Sequence, residues 1–126
     1  MTDQPMAHPP REPAAAADGM IRIDEVQRLA LRMGVVISAK DHPNADRLLV
    51  LNVDLGDGAP RQIVAGIRGS YQAADVVGKC VVVVANLKPA LLRGIESQGM
   101  VLAASDERGV VLLTADRALT PGSIVK

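Results

Sequence analysis

The sequence predicts an all-β domain, and three features point there. Its apolar residues fall in short runs separated by turn formers. The core-forming types lean to Val and Ile, whose β-branched side chains suit a pleated surface better than a helix. One run, KCVVVVANL at 79–87, is apolar almost without a break and reads as a strand buried on both faces. With 126 residues there is room for one domain and one modest core. There is no Trp, no Phe and one Tyr, Tyr71, so that core must be built from Val, Leu, Ile, Ala and Met.

The elements follow in order. Residues 1–20 are rich in Pro and Ala and lack periodicity, which predicts a flexible tail with the domain proper at 21–126. Asp24 is placed to cap a short helix running to Leu29, with Ile23, Val26 and Leu29 on one face. Strands are expected at 29–40, 47–55 and 61–67, the last two joined by a turn at Gly56-Asp57-Gly58. Gly34 interrupts the first strand and predicts a bulge or bend, so that one long strand can serve both halves of a sheet. Residues 70–78 carry a weak helical signal that stops at Gly78. After strand 79–87 and a polar insert come GMVLAAS (99–105) and GVVLLT (109–114), a hairpin pattern around Asp106-Glu107-Arg108, and PGSIVK closes with a turn and a short strand. This order fits an OB-fold, a five-stranded, partly open Greek-key barrel, here with a short helix and extra C-terminal strands.

Composition narrows the function classes. A single cysteine, Cys80, rules out a disulfide within the chain and a zinc site built on cysteines. No signal-peptide pattern is present near the N-terminus, and no apolar stretch reaches the ~18 residues a membrane helix needs. A soluble, cytoplasmic protein without metal or cofactor is the expectation. Fourteen cations balance fourteen anions; without residues 1–20, which hold Arg11 against Asp3, Glu12 and Asp18, 13 cations face 11 anions. Any nucleic-acid site must therefore arise from local placement of charge rather than from a global basic field.

Two stretches could carry chemistry. In HPNADR (42–47), His42 and Asp46 would need a nucleophile or metal partner to form a catalytic site, and none stands at a suitable spacing. The plainer reading is a rigid turn held by side-chain bonds to nearby backbone amides. The polar insert at 86–100 differs. Lys88 and Arg93 can meet phosphates, while Asn86, Ser97 and Gln98 can position polar edges. Taken by itself, the insert is either a solvated loop or one wall of a binding groove. Arg32, Lys40, Arg47, Arg61 and Arg68 are further candidates, each individually an ordinary surface cation. The shortage of aromatics disfavours a single-strand coating protein, which would stack bases on aromatic rings. Recognition of a folded RNA through shape, phosphate and sugar contacts stays open.

Taken together, LRMG, HPNADRLLVLNVDLG, RQIVAGI, GKCVVVVANLKPALLRGIESQGMVLAAS and the closing PG resemble the tRNA-binding OB-fold domain family over about residues 24–126. HPNAD, NLKP and ESQGM are specific in combination. The family occurs as a free-standing dimeric tRNA-binding protein and as the C-terminal domain of bacterial methionyl-tRNA synthetase. The resemblance implies a barrel that grips the outer corner of folded tRNA, a homodimer, and roles in RNA contact for Asn86, Lys88, Ser97, Met100 and Arg93. Met100 could equally be a plain core residue; at a surface, its thioether could pack on a sugar or base face. Where the family often has Lys after the Gly of LRxG, this chain has Val35, one groove cation fewer. The expectation is a non-catalytic tRNA-binding protein that can assist an aminoacyl-tRNA synthetase in trans. The alternatives are a peptide-binding, chaperone-like module on the same barrel and an enzyme using His42.

Overall fold

The computed structural model describes residues 18–126. The tail expected at 1–20, His8 included, lies outside the described residues up to position 17. Helix α1 (Ile23–Gln27) precedes a long strand β1 (Leu31–Asp41). Strands β2 (Leu49–Asp54) and β3 (Arg61–Ala65) follow, then the short helix α2 (Ala73–Val76) and strand β4 (Cys80–Val84). The remaining strands are short: β5 (Ala90–Leu92), β6 (Ile95–Ser97), β7 (Met100–Val101), β8 (Ala103–Asp106), β9 (Gly109–Leu112) and β10 (Ile124–Val125).

The main sheet has the antiparallel order β3-β2-β1-β4-β7, with β10 also against β1. Three consecutive strands with the fourth returning beside the first make a Greek key. At the far edge β7 lies against β3, so the sheet curls almost to closure. This is the five-stranded barrel that the sequence predicts.

Strand β1 serves both halves of the sheet. Residues 31–35 pair with β4 and residues 35–41 with β2. The register shifts between Val36 and Ser38, leaving Ile37 as the extra residue of a bulge that bends the strand. The bend therefore falls three residues after Gly34, where the sequence had suggested it. Gly34 itself stands in regular register opposite Val81, and a crowded approach to Val53 and Leu55 is what requires its missing side chain.

The core follows from strand alternation. Leu49, Leu51 and Val53 point inward from β2 and meet Val36, Ile63, Val81 and Val83. On the outer face one cross-strand row holds Ser38, Asn52 and Gln62, and the next holds Lys40, Val50 and Val64. Residues Val81 to Val84 are all buried, as their unbroken apolar run implies.

Three local readings are corrected. Residues 86–100 contain a hairpin, β5–β6, rather than a loop alone. Residues 99–105 split into β7, which belongs to the barrel, and β8, which pairs with β9 in a separate hairpin. At α1 the N-cap is Arg22, whose N–H donates to the Glu25 carboxylate at 2.8 Å, while Asp24 lies inside the first turn and pairs with the Arg22 guanidinium.

Closure between β3 and the β6–β7 segment uses side chains in place of a regular ladder. The Val64 N–H donates to Ser97 Oγ at 2.9 Å, and that hydroxyl donates to the Gly99 carbonyl at 2.9 Å. The Gln98 N–H donates to the Gln62 carbonyl, and Gln98 Oε1 accepts from the Gln62 N–H. Ser97 is 5% exposed. Ser97→Ala leaves a buried donor and a buried acceptor unpaired, which costs about 2 kcal/mol. The expected observation is a lower urea midpoint with an unchanged denaturant slope.

Candidate nucleic-acid interface

In a barrel of this kind, ligands meet the strand 2–3 face together with the loop after the first strand and the long loop after the fourth. Here those loops are residues 42–48 and 85–99, and they hold HPNADR and the polar insert.

The 42–48 turn is tied internally. The His42 N–H donates to the Leu48 carbonyl at 3.1 Å, and Leu48 N–H reaches Ala45 O at 3.4 Å. Arg68 braces it from β3's far side: its N–H donates to Arg47 O, its Nη1 to Ala45 O, and its Nη2 pairs with Asp41 at 3.0 Å. His42 is 2% exposed. Its Nδ1 accepts from the Asn44 N–H at 2.9 Å, so the hydrogen-bond network assigns the ring proton to Nε2, which donates to Leu92 O at 2.9 Å. Neither ring nitrogen is left to take a proton from a substrate, and the enzyme reading loses the residue it depended on.

The 85–99 segment is braced the same way. Arg61 donates from Nη1 to Ala85 O at 2.6 Å and pairs through Nη2 with Asp57 at 3.4 Å. The Asn86 side chain bridges to the start of β1: its Oδ1 accepts from the Ala30 N–H at 2.9 Å and its Nδ2 donates to Arg28 O at 2.8 Å. At the hairpin tip Leu92 pairs with Ile95, and the two residues between them, Arg93 and Gly94, have φ of 53° and 91°. That is a two-residue turn of the I′ type, which selects Asn, Asp or Gly at its first position. An arginine held there sits in a backbone region that residues other than glycine seldom adopt.

The structure sorts the predicted residues. Arg61 and Arg68, candidates on charge alone, spend their guanidiniums on the two loops. Among the described residues Arg32, Lys40, Arg47, Lys88 and Arg93 are exposed and carry no ion pair. Arg47 and Arg93 come together around one open depression, lined also by Asn44, Ala45, Asp46 and Leu48. Lys40 projects from the outer face two residues before His42. Arg32, Asn86 and Met100 gather instead at the opposite end of β1, where Leu31, Val84 and Met100 form one cross-strand row. Eight residues of strand separate Arg32 from Lys40, about 26 Å of chain at ~3.3 Å per residue. Lys88 follows Asn86 on the segment that runs between the two groups. Met100 is 51% exposed, which removes the core alternative. Ser97 is not presented at the surface; its hydroxyl is spent on closing the barrel. Asn86 is exposed, yet both ends of its amide already bind backbone, so its first task is to fix the segment that carries Lys88.

Sequence reasoning missed the contact from His42 to Leu92, fifty residues apart, and the hairpin that carries Arg93. The Arg-Gly pair between ALL and IES was the available signal for the hairpin. No group of metal-ligating side chains occurs among the described residues, and no helix there is long and apolar enough to cross a membrane.

Residues 31–124 match the family described as "Putative tRNA binding domain". The methionine–tRNA ligase of Thermotoga maritima is 49% identical over 114 residues, 90% of this chain and 18% of that protein. That of Methanocaldococcus jannaschii is 50% identical over 107 residues, 84% of this chain and 16% of that one. The chain thus spans less than a fifth of the length of these relatives. Among solved structures, a methionyl-tRNA-synthetase-related protein from Pyrococcus horikoshii superposes with a TM-score of 0.78 at 32% identity, covering 85% of this chain and 98% of that one. The chaperone CsaA of Bacillus anthracis superposes with a TM-score of 0.77 at 29% identity, covering 85% and 99%.

Proposed function

The chain belongs to the tRNA-binding domain family, and from that premise we propose that it is a non-catalytic protein that holds folded tRNA against the 42–48 and 85–99 side of its barrel. The observation that carries this reading is the division of labour among the cations. Arg61 and Arg68 brace the loops, and among the described residues Lys40, Arg47, Lys88 and Arg93 are exposed beside them without an ion pair. Phosphates are natural partners for exposed side chains of this kind. Met100 and the Asn86-fixed segment extend the contact toward the other end of the barrel, a span suited to the bend of a folded RNA rather than to a single phosphate. The protein acts in the cytoplasm as a homodimer, which offers two such faces and raises avidity, and it can deliver tRNA to a synthetase in trans.

A second reading, a chaperone-like module, is favoured by the likeness to CsaA and by exposed apolar side chains on the same segment, Leu91 and Met100. Salt separates the two. With about four phosphate contacts, log K for tRNA falls with log salt at a slope near −3, so affinity drops roughly sixtyfold between 50 and 200 mM salt. A fluorescence titration with bulk tRNA at several salt concentrations measures it. A flat salt response, with tighter binding of an unfolded polypeptide, would favour the chaperone reading instead.

A further inference from the structure

Both ring nitrogens of His42 are bonded within the protein and, at 2% exposure, the ring is out of reach of RNA. A buried imidazole is costly unless both nitrogens are paired, and here they are paired to two different loops. Among the described residues, the Nε2–H to Leu92 O bond is the one hydrogen bond that joins the 42–48 turn to the tip of the β5–β6 hairpin. Leu92 is the residue before Arg93, and Arg47 is five residues after His42. The bond therefore fixes the distance between the two loops at the point where each presents a free guanidinium.

Fixing that distance matters because the depression is not purely cationic. Asp46 lines it together with Arg47 and Arg93. A phosphate entering there gains from both arginines only if they are held where their attraction outweighs repulsion by the carboxylate. A freely swinging hairpin would give Arg93 many positions and few productive ones.

We propose that His42 is a positioning residue that locks the β5–β6 hairpin to the β1–β2 turn, so that Arg47 and Arg93 act as one preorganised phosphate-binding unit. The proposal rests on the RNA-binding reading above and specifies how one part of that surface is built.

Two substitutions separate the halves of the imidazole. His42→Gln places an amide nitrogen near the position of Nε2 and keeps a donor for Leu92 O. His42→Asn places a carbonyl oxygen near the position of Nδ1, keeps the acceptor for Asn44 N–H, and loses the link to the hairpin. Both remove the same buried ring, and a merely structural role would lower stability without changing the salt slope of binding. The expected result is an about tenfold loss of tRNA affinity for His42→Asn, the equivalent of one charge-assisted contact, with a salt slope shallower by about one unit. Backbone amides of 90–97 should also exchange faster in this variant. His42→Gln should stay within about threefold of the parent affinity, with slow exchange in the hairpin. Equal losses in the two variants, or none in either, would overturn the proposal.

Hydrogen exchange is read without RNA, so it tests the lock even if the unmodified protein ignores tRNA; that outcome would sink the RNA reading alone, while equal exchange in both variants would sink the lock. Should neither variant fold, a double-mutant cycle on the parent chain decides. A combined loss from Arg47→Ala and Arg93→Ala smaller than the product of the single losses supports one unit, and a full product contradicts it.

Discussion

Replacing Arg47 and Arg93 together by Ala is expected to lower tRNA affinity about thirtyfold and to leave the fold intact. Each side chain is exposed, and among the described residues neither carries an ion pair, so the described barrel does not depend on its charge. A charge-assisted contact to phosphate contributes roughly 1.5 kcal/mol, about tenfold in affinity. Two arginines around one depression share a phosphate, so the second removal costs less than the first. The salt slope should become shallower by about one to two units, because fewer counterions are released. Arg61→Ala is the instructive contrast. Arg61 holds Ala85 O and Asp57, so its loss should appear first as a lower melting temperature and only second as weaker binding. A double variant that binds tRNA like the parent at low salt would remove both arginines from the interface.

The largest effect on stability is expected from Gly34→Ala. A methyl group there would stand 2.5 Å from Val53 Cγ1, 2.9 Å from Leu55 Cδ2 and 3.2 Å from the Asp54 carbonyl. Val53 is fully buried and β-branched, so it has no rotamer into which it can retreat. The close approach is where β1 passes from its pairing with β4 to its pairing with β2, so relief would require separating strands at the centre of the sheet. Overpacking of this kind costs about 3 kcal/mol, or a drop of about 10 °C in melting temperature for a domain of this size. Calorimetry reads it directly, and a shift under 2 °C would show that the strand crossing is looser than described. Below its lowered melting point the variant should keep the tRNA affinity of the parent, since no residue of the candidate interface is altered.

These two sites also show what was legible in the sequence. The barrel was legible because its signals are local. An unbroken Val run marks a strand buried on both faces, and turn residues at 56–58 separate two alternating strands. The long, bent first strand was legible from the run at 29–40 and its interruption at Gly34. The position of the bend was not legible. Glycine marked a crowded spot, whereas the bulge formed at Ile37, where register with Asn52 could be restored. The candidate interface was only half legible. Lys88 and Arg93 stood out by residue type, but type alone could not separate Arg47 from Arg68. Arg68 is spent because folding brings Asp41 and Ala45 to it from more than twenty residues away. Ser97 looked like a surface hydroxyl because its neighbours Glu96 and Gln98 are polar and exposed. Its burial depends on β3 arriving beside it. His42 shows the same limit, since its partner lies fifty positions along the chain.

The most direct test of the account compares one tRNA transcript in two states: folded in magnesium, and the same sequence cut into fragments too short to fold. Both carry the same bases and almost the same phosphates, but folding packs the phosphates more densely, so a plain RNA duplex of equal length is titrated beside them as the charge control. Titrated at moderate salt, the folded transcript is expected to bind at least tenfold more tightly than the fragments, and this preference should shrink in Arg47→Ala/Arg93→Ala. Equal affinity for the two would contradict recognition of a folded shape and reduce the barrel to an unspecific polyanion binder.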